Sequence, residues 1–185
     1  MAITPSLLSI DEYLRTSYHP DADFVDGEIE ERNLGEFEHA RLQWLLAAFI
    51  SRHESDWNVI GVVEQRIRVS PTRVRICDIC LLDHDALRER VLSTPPRLCI
   101  EILPPEDRLP RAETVLADYR AMGVQHIWLL DPIRQAAYTF DSNGLHIVNT
   151  TRLSILDSPI HLDLAELFAA INEPPSPTHT PHFGE

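Results

Sequence analysis

The chain has 185 residues, of which 44% are hydrophobic and 24% charged, a composition that fits one well-buried domain and excludes a disordered chain. Its 29 acidic and 16 basic side chains give a formal charge of −13, which argues against broad nucleic-acid binding and leaves room only for a local basic patch. All 16 basic residues are arginine, and lysine is absent.

The start, Met1–Leu14, lacks a charged segment followed by a long apolar core. No apolar run approaches the roughly 20 residues that cross a membrane, so a cytoplasmic protein without a membrane span is expected. Ser9-Ile10-Asp11-Glu12 fits a capping box and opens a short helix over Ile10–Arg15. Asp26-Gly27, between two alternating segments, marks a hairpin. A long helix is predicted from about Glu36 to His53, with Leu42, Leu45, Leu46 and Phe49 at helical spacing and Glu38 and His39 continuing the stripe. Strands follow at Asn58–Ser70 and Arg73–Leu82, joined at Ser70-Pro71-Thr72, and at Arg97–Leu103 between proline pairs. Pro110 suits the first turn of a helix whose stripe is Ala112, Val115, Leu116 and Tyr119, ended by Gly123. His126–Leu130 reads as a short central strand. Ala136–Phe140 and Leu145–Val148 form a second hairpin, and Leu162–Ile171 a last helix. Four prolines fall within residues 173–185, so a single domain over 1–172 with a disordered proline-rich tail is expected. The order predicts an α/β fold: a mixed central sheet flanked by helices, with added hairpins.

Strand parity then gathers the polar residues. In the second strand Val74, Ile76, Asp78 and Cys80 share one face, opposite Arg73, Arg75 and Cys77. In the strand before it, Gln65, Ile67 and Val69 lie opposite Glu64, Arg66 and Arg68. If arginine marks the wetter face, Gln65 and Asp78 belong together on the apolar one. The arginines could make a DNA-binding stripe, but a solvated sheet face explains them more simply. The three cysteines, Cys77, Cys80 and Cys99, suggest free thiols. Cys77 and Cys80 resemble a CxxC, yet positions i and i+3 of a strand point to opposite faces, so both read as small buried residues.

Asp78 lies in an apolar strand, and so does Glu101 in Leu98-Cys99-Ile100-Glu101-Ile102. A carboxylate there is costly unless it is ion-paired, protonated or bound to a metal. Two of them on neighbouring core strands point to a site rather than to two separate ion pairs. Hard carboxylate ligands suit Mg²⁺ or Mn²⁺, which polarises a phosphoryl oxygen and activates water. The chain has no P-loop, no GxSxG and no HExxH.

With these residues in place the sequence resembles the Uma family of endonucleases, in the PD-(D/E)xK restriction-endonuclease-like superfamily. The resemblance runs from about Leu8 to Phe168. It is carried by Ile10–Leu14, Phe24–Glu28, Glu38-His39, Glu64-Gln65, Arg75–Asp78, Ile100–Leu103 and Ile127–Pro132. It implies a restriction-endonuclease-like core and a phosphodiesterase site with Asp78 and Glu101 as metal ligands. Gln65 would line the same pocket, and Glu38 would be the acidic residue of the first core helix. The superfamily lysine, two residues after the glutamate, falls on Leu103. A second lysine position, on the following helix, falls on Val115. Arg108 or Arg111 could supply positive charge, though arginine does not exchange protons with water as lysine can.

Three readings follow. The leading one is a Mg²⁺- or Mn²⁺-dependent endonuclease that hydrolyses DNA, active or impaired by the lack of lysine. The second is a non-catalytic nuclease-fold domain that binds DNA or a protein partner, and the third a plain interaction domain with salt-bridged carboxylates. Two cuts on a duplex invite a two-fold homodimer.

Overall fold

The computed structural model describes residues 7–32, 36–104 and 109–173. Its elements follow the chain order read above, with close boundaries. Helix α1 spans Ile10–Arg15, capped by Ser9, whose side chain accepts from the Glu12 N–H. Strands β1 (Ala22–Val25) and β2 (Glu28–Glu31) turn at Asp26 and Gly27, both with positive φ. Helix α2 runs over Phe37–Trp57, one turn past its expected end. It stops where Asn58 takes up the left-handed conformation (φ 53°, ψ 50°) that Asn tolerates well among non-glycine residues. Then come β3 (Val59–Ser70), β4 (Arg73–Asp83), β5 (Leu98–Ile102) and α3 (Leu109–Met122). The chain continues with β6 (His126–Asp131), β7 (Ala136–Asp141) and β8 (Gly144–Ile147). Two short strands, β9 (Arg152–Ser154) and β10 (His161–Asp163), form a separate ribbon before α4 (Leu164–Asn172). No ribbon is predicted from the sequence, and the last helix predicted over Leu162–Ile171 begins inside β10. The proline-rich segment expected to be disordered lies beyond Glu173, outside the described residues.

Strands β1 to β8 form one mixed sheet in which β5 and β6 run parallel. Alternation along its strands feeds two cores. Ile79, Leu81, Ile100 and Leu130 pack with Leu42, Leu46 and Ile50 of α2 and Phe168 of α4. Cys80, Leu82, Cys99 and Leu129 pack with Leu116 and Tyr119 of α3. Helices therefore cover both faces, and among the described residues no helix is long and apolar enough to cross a membrane.

The strand that organises the sheet is β4. Along one edge it pairs with β3. Its other edge is shared: β1 pairs at Arg73 and Val74, and β5 at Ile79, Cys80 and Leu81. Between these two partners the ladder is interrupted over Arg75–Asp78. Backbone groups facing such a gap need substitutes for the missing ladder partners. Carboxylates serve: Asp23 accepts the Ile76 N–H at 2.9 Å, and Asp78 accepts the Ile102 N–H at 2.8 Å.

The pairing of β3 with β4 corrects the parity argument. A regular hairpin continued from Ser70↔Arg73 would bring Gln65 opposite Asp78. A bulge between Ile67 and Ser70 shifts the register by one residue, so the ladder reads Ile67↔Arg75 and Gln65↔Cys77. Glu64, not Gln65, then lies across from Asp78, with a left-handed backbone (φ 51°) that is strained for a glutamate. Nor do the arginines mark a wet face together, although Arg68 is exposed. Arg75 is 2% exposed, and Arg66 and Arg73 are paired with Asp21, Asp26 and Asp118. Cys77 and Cys80, expected on opposite faces, are buried in one cluster with Cys99, and all three thiols are free.

Candidate active site

The gap in the sheet opens into a cavity of about 320 Å³ between α2 and α3. Asp78 and Glu101 both line it, although they come from different strands. Asp78 is 1% exposed and fully engaged. Its Oδ2 accepts the Ile102 N–H and lies 3.3 Å from His39 Nε2, while its Oδ1 accepts from Arg32 Nη2 at 2.5 Å. Burial opposes its ionisation. The bond to His39, the charge of Arg32 and the Ile102 N–H outweigh that and hold the carboxyl below its usual range.

Glu101 is in the opposite condition. Among the described residues its one side-chain hydrogen bond comes from the Tyr119 hydroxyl, at 2.6 Å to Oε1. Desolvation and the nearby charge of Asp78 push its carboxyl well above the ordinary range, and Arg32 and Tyr119 only partly offset them. The charge of Asp78 thus lies close enough to disfavour ionisation of Glu101, and among the described residues no cation is bonded to Glu101.

The rest of the cavity differs from the expected set. Gln65 and Glu38 are not among its lining residues. Gln65 is turned away by the register shift and donates to the Arg66 and Arg90 carbonyls. Glu38 sits beside the buried stripe of α2, which runs through His39, Leu42, Leu46 and Ile50, so His39 is the residue that reaches Asp78. Glu64 takes the place foreseen for Gln65. It accepts from Arg32 and from Gln43 Nε2 (2.7 Å), and Gln43 also donates to the Asp78 carbonyl. Leu103 and Val115, where the resemblance would look for lysine, both line the cavity. Arg111 lines it as well, donating to the Glu31 carbonyl at 2.7 Å. Arg108 lies outside the described residues.

Among the described residues no three His, Cys, Asp or Glu side chains converge as a ready-made metal cage. Mg²⁺ commonly takes one or two carboxylates and fills its remaining positions with water and phosphate. The repulsion between Asp78 and Glu101 is what a shared divalent cation would relieve.

A family model described as "Uma2: Putative restriction endonuclease" matches residues 10–171. Among solved structures, the crystal structure of "a putative nuclease belonging to DUF820" from Anabaena variabilis superposes with a TM-score of 0.77. It is 17% identical and the match covers 89% of this chain and 99% of that one, so the likeness is one of fold. No curated protein matches the sequence.

Proposed function

The chain belongs to the Uma2 family of restriction-endonuclease-like proteins, and we propose that it is a metal-dependent endonuclease acting on DNA, slowed by its lack of lysine. The observation that carries this reading is the convergence of Asp78 and Glu101 in one cavity, with Glu101 lacking a bonded cation among the described residues. Asp78 and Glu101 would hold Mg²⁺ or Mn²⁺, which when bound supplies a Lewis acid for a phosphoryl oxygen and an acidified water. Ile102 N–H and His39 fix the orientation of Asp78, and Tyr119 fixes that of Glu101. Arg111 presents a guanidinium to the cavity that can face a phosphate oxygen.

The missing lysine sets the expected rate. Leu103 and Val115 offer an apolar wall where a cationic, proton-exchanging group would otherwise stand. Loss of one preorganised stabilising group costs about 10² to 10³ in rate. Slow, Mn²⁺-favoured nicking of supercoiled plasmid at low salt is therefore expected. Low salt matters because contacts between arginine and phosphate weaken steeply as salt rises. Asp78→Ala should abolish the nicking and Leu103→Lys should speed it. Activity that survives Asp78→Ala would place the chemistry elsewhere. The absence of lysine equally favours a second reading, a non-catalytic domain that binds DNA or a protein partner. Duplex binding without any nicking, in wild type and in Leu103→Lys alike, would select it.

A further inference from the structure

Arg32 follows directly on β2, and its side chain is 23% exposed at the cavity. Nη2 donates to Asp78 Oδ1, and Nη1 pairs with Glu64 Oε2. Among the described residues Oδ1 has no other partner, since His39 and Ile102 engage Oδ2. A divalent cation held by Asp78 and Glu101 would need that same oxygen. Two cations cannot share it at contact distance without strong repulsion, since an arginine side chain stays protonated. The guanidinium fork that fits a carboxylate fits a phosphate equally well.

We propose that Arg32 exchanges partners. It pairs with Asp78 while the cavity lacks a metal, leaves Oδ1 when a divalent cation is loaded, and then binds a phosphate of the substrate. Glu64 keeps it at the cavity during the exchange, because that ion pair does not involve the contested oxygen. Arg32 would thereby supply part of the positive charge that lysine provides elsewhere in the superfamily. The inference rests on the metal-dependent reading above.

The test uses the intact chain and Mn²⁺ alone, with binding measured by calorimetry for wild type, Arg32→Ala and Arg32→Gln. Both variants lose a competitor bonded to Asp78 and should bind Mn²⁺ about tenfold more tightly. With Ca²⁺ replacing Mn²⁺ to suppress turnover, both should bind a short duplex oligonucleotide about tenfold more weakly. Arg32→Gln keeps most of the volume and a hydrogen-bond donor, so a folding defect confined to Arg32→Ala leaves the result readable. Unchanged or weaker Mn²⁺ affinity overturns the exchange at Asp78. Unchanged duplex affinity overturns the phosphate contact. Failure of the underlying reading looks different: Mn²⁺ then binds Asp78→Asn as well as wild type, or binds none of the proteins, and the exchange falls with it.

Discussion

Two buried acidic clusters hang from β4 only three residues apart, one around Arg75 and one around Asp78, and they are built on opposite plans. At Arg75 a single guanidinium meets Asp23 at 3.0 Å, Glu30 at 2.9 Å and Asp118 at 2.8 Å. Burial raises the Asp23 carboxyl, yet Asp23 has both the Arg75 charge and the Ile76 N–H. At Asp78 the donors gather on one carboxylate, and among the described residues Glu101 is bonded only by a neutral tyrosine hydroxyl. The first arrangement closes the seam where β1 meets β4. The second leaves a carboxyl facing a cavity with its ionisation disfavoured by burial and by Asp78. A buried acidic group alone therefore does not single out a candidate site here; a carboxyl without a counter-charge among the described residues does.

The contrast can be broken at each end. The largest loss of stability is expected for Arg75→Met, which leaves three carboxylates without their common partner; about 3 to 5 kcal/mol should be lost in urea denaturation. Added Mn²⁺ should not restore it. Asp78→Asn should cost less, about 1 to 3 kcal/mol, because Arg32 keeps Glu64 and remains partly exposed. It should also abolish any rise in Tm caused by Mn²⁺. The carboxyl of Asp78 is held low in the fold, so its contribution is present above the ordinary carboxylate range and is lost as pH falls through the lowered value.

Glu101→Gln should act in the reverse sense and by the smallest amount, a gain of about 1 kcal/mol near neutral pH, or a few degrees in Tm. The sign follows from its raised carboxyl. In the fold Glu101 retains a proton that the unfolded chain has already released, so stability falls as pH rises from the ordinary carboxylate range towards the raised value. Melting curves of wild type and Glu101→Gln should converge in acid and separate towards neutrality. A variant less stable than wild type at neutral pH would show that Glu101 is a satisfied structural residue.

Element order and most boundaries were legible because the periodicities and the turn residues agree: Ser9, Asp26-Gly27, Pro110 and Gly123 each stand at an observed junction. Asp78 and Glu101 stood out as charges in apolar strands, and both reached the cavity. The neighbours were harder to see. Glu64 and Gln65 are adjacent, and one bulged residue beyond Ile67 decides which of them faces Asp78. Glu38 and His39 are adjacent too, and only the phase of the α2 stripe separates them. Arg32 carried no signal, since its role depends on where β2 ends relative to a strand 46 residues later. The β9–β10 ribbon pairs strands of three residues, too short for alternation to show.

The most direct test of the central claim is the anomalous diffraction of a crystal soaked in Mn²⁺. The account predicts one manganese peak shared by the Asp78 and Glu101 carboxylates, with the Arg32 guanidinium withdrawn from Asp78 Oδ1. A peak elsewhere, or a cavity in which Arg32 still holds Asp78 and no manganese is bound, would contradict it.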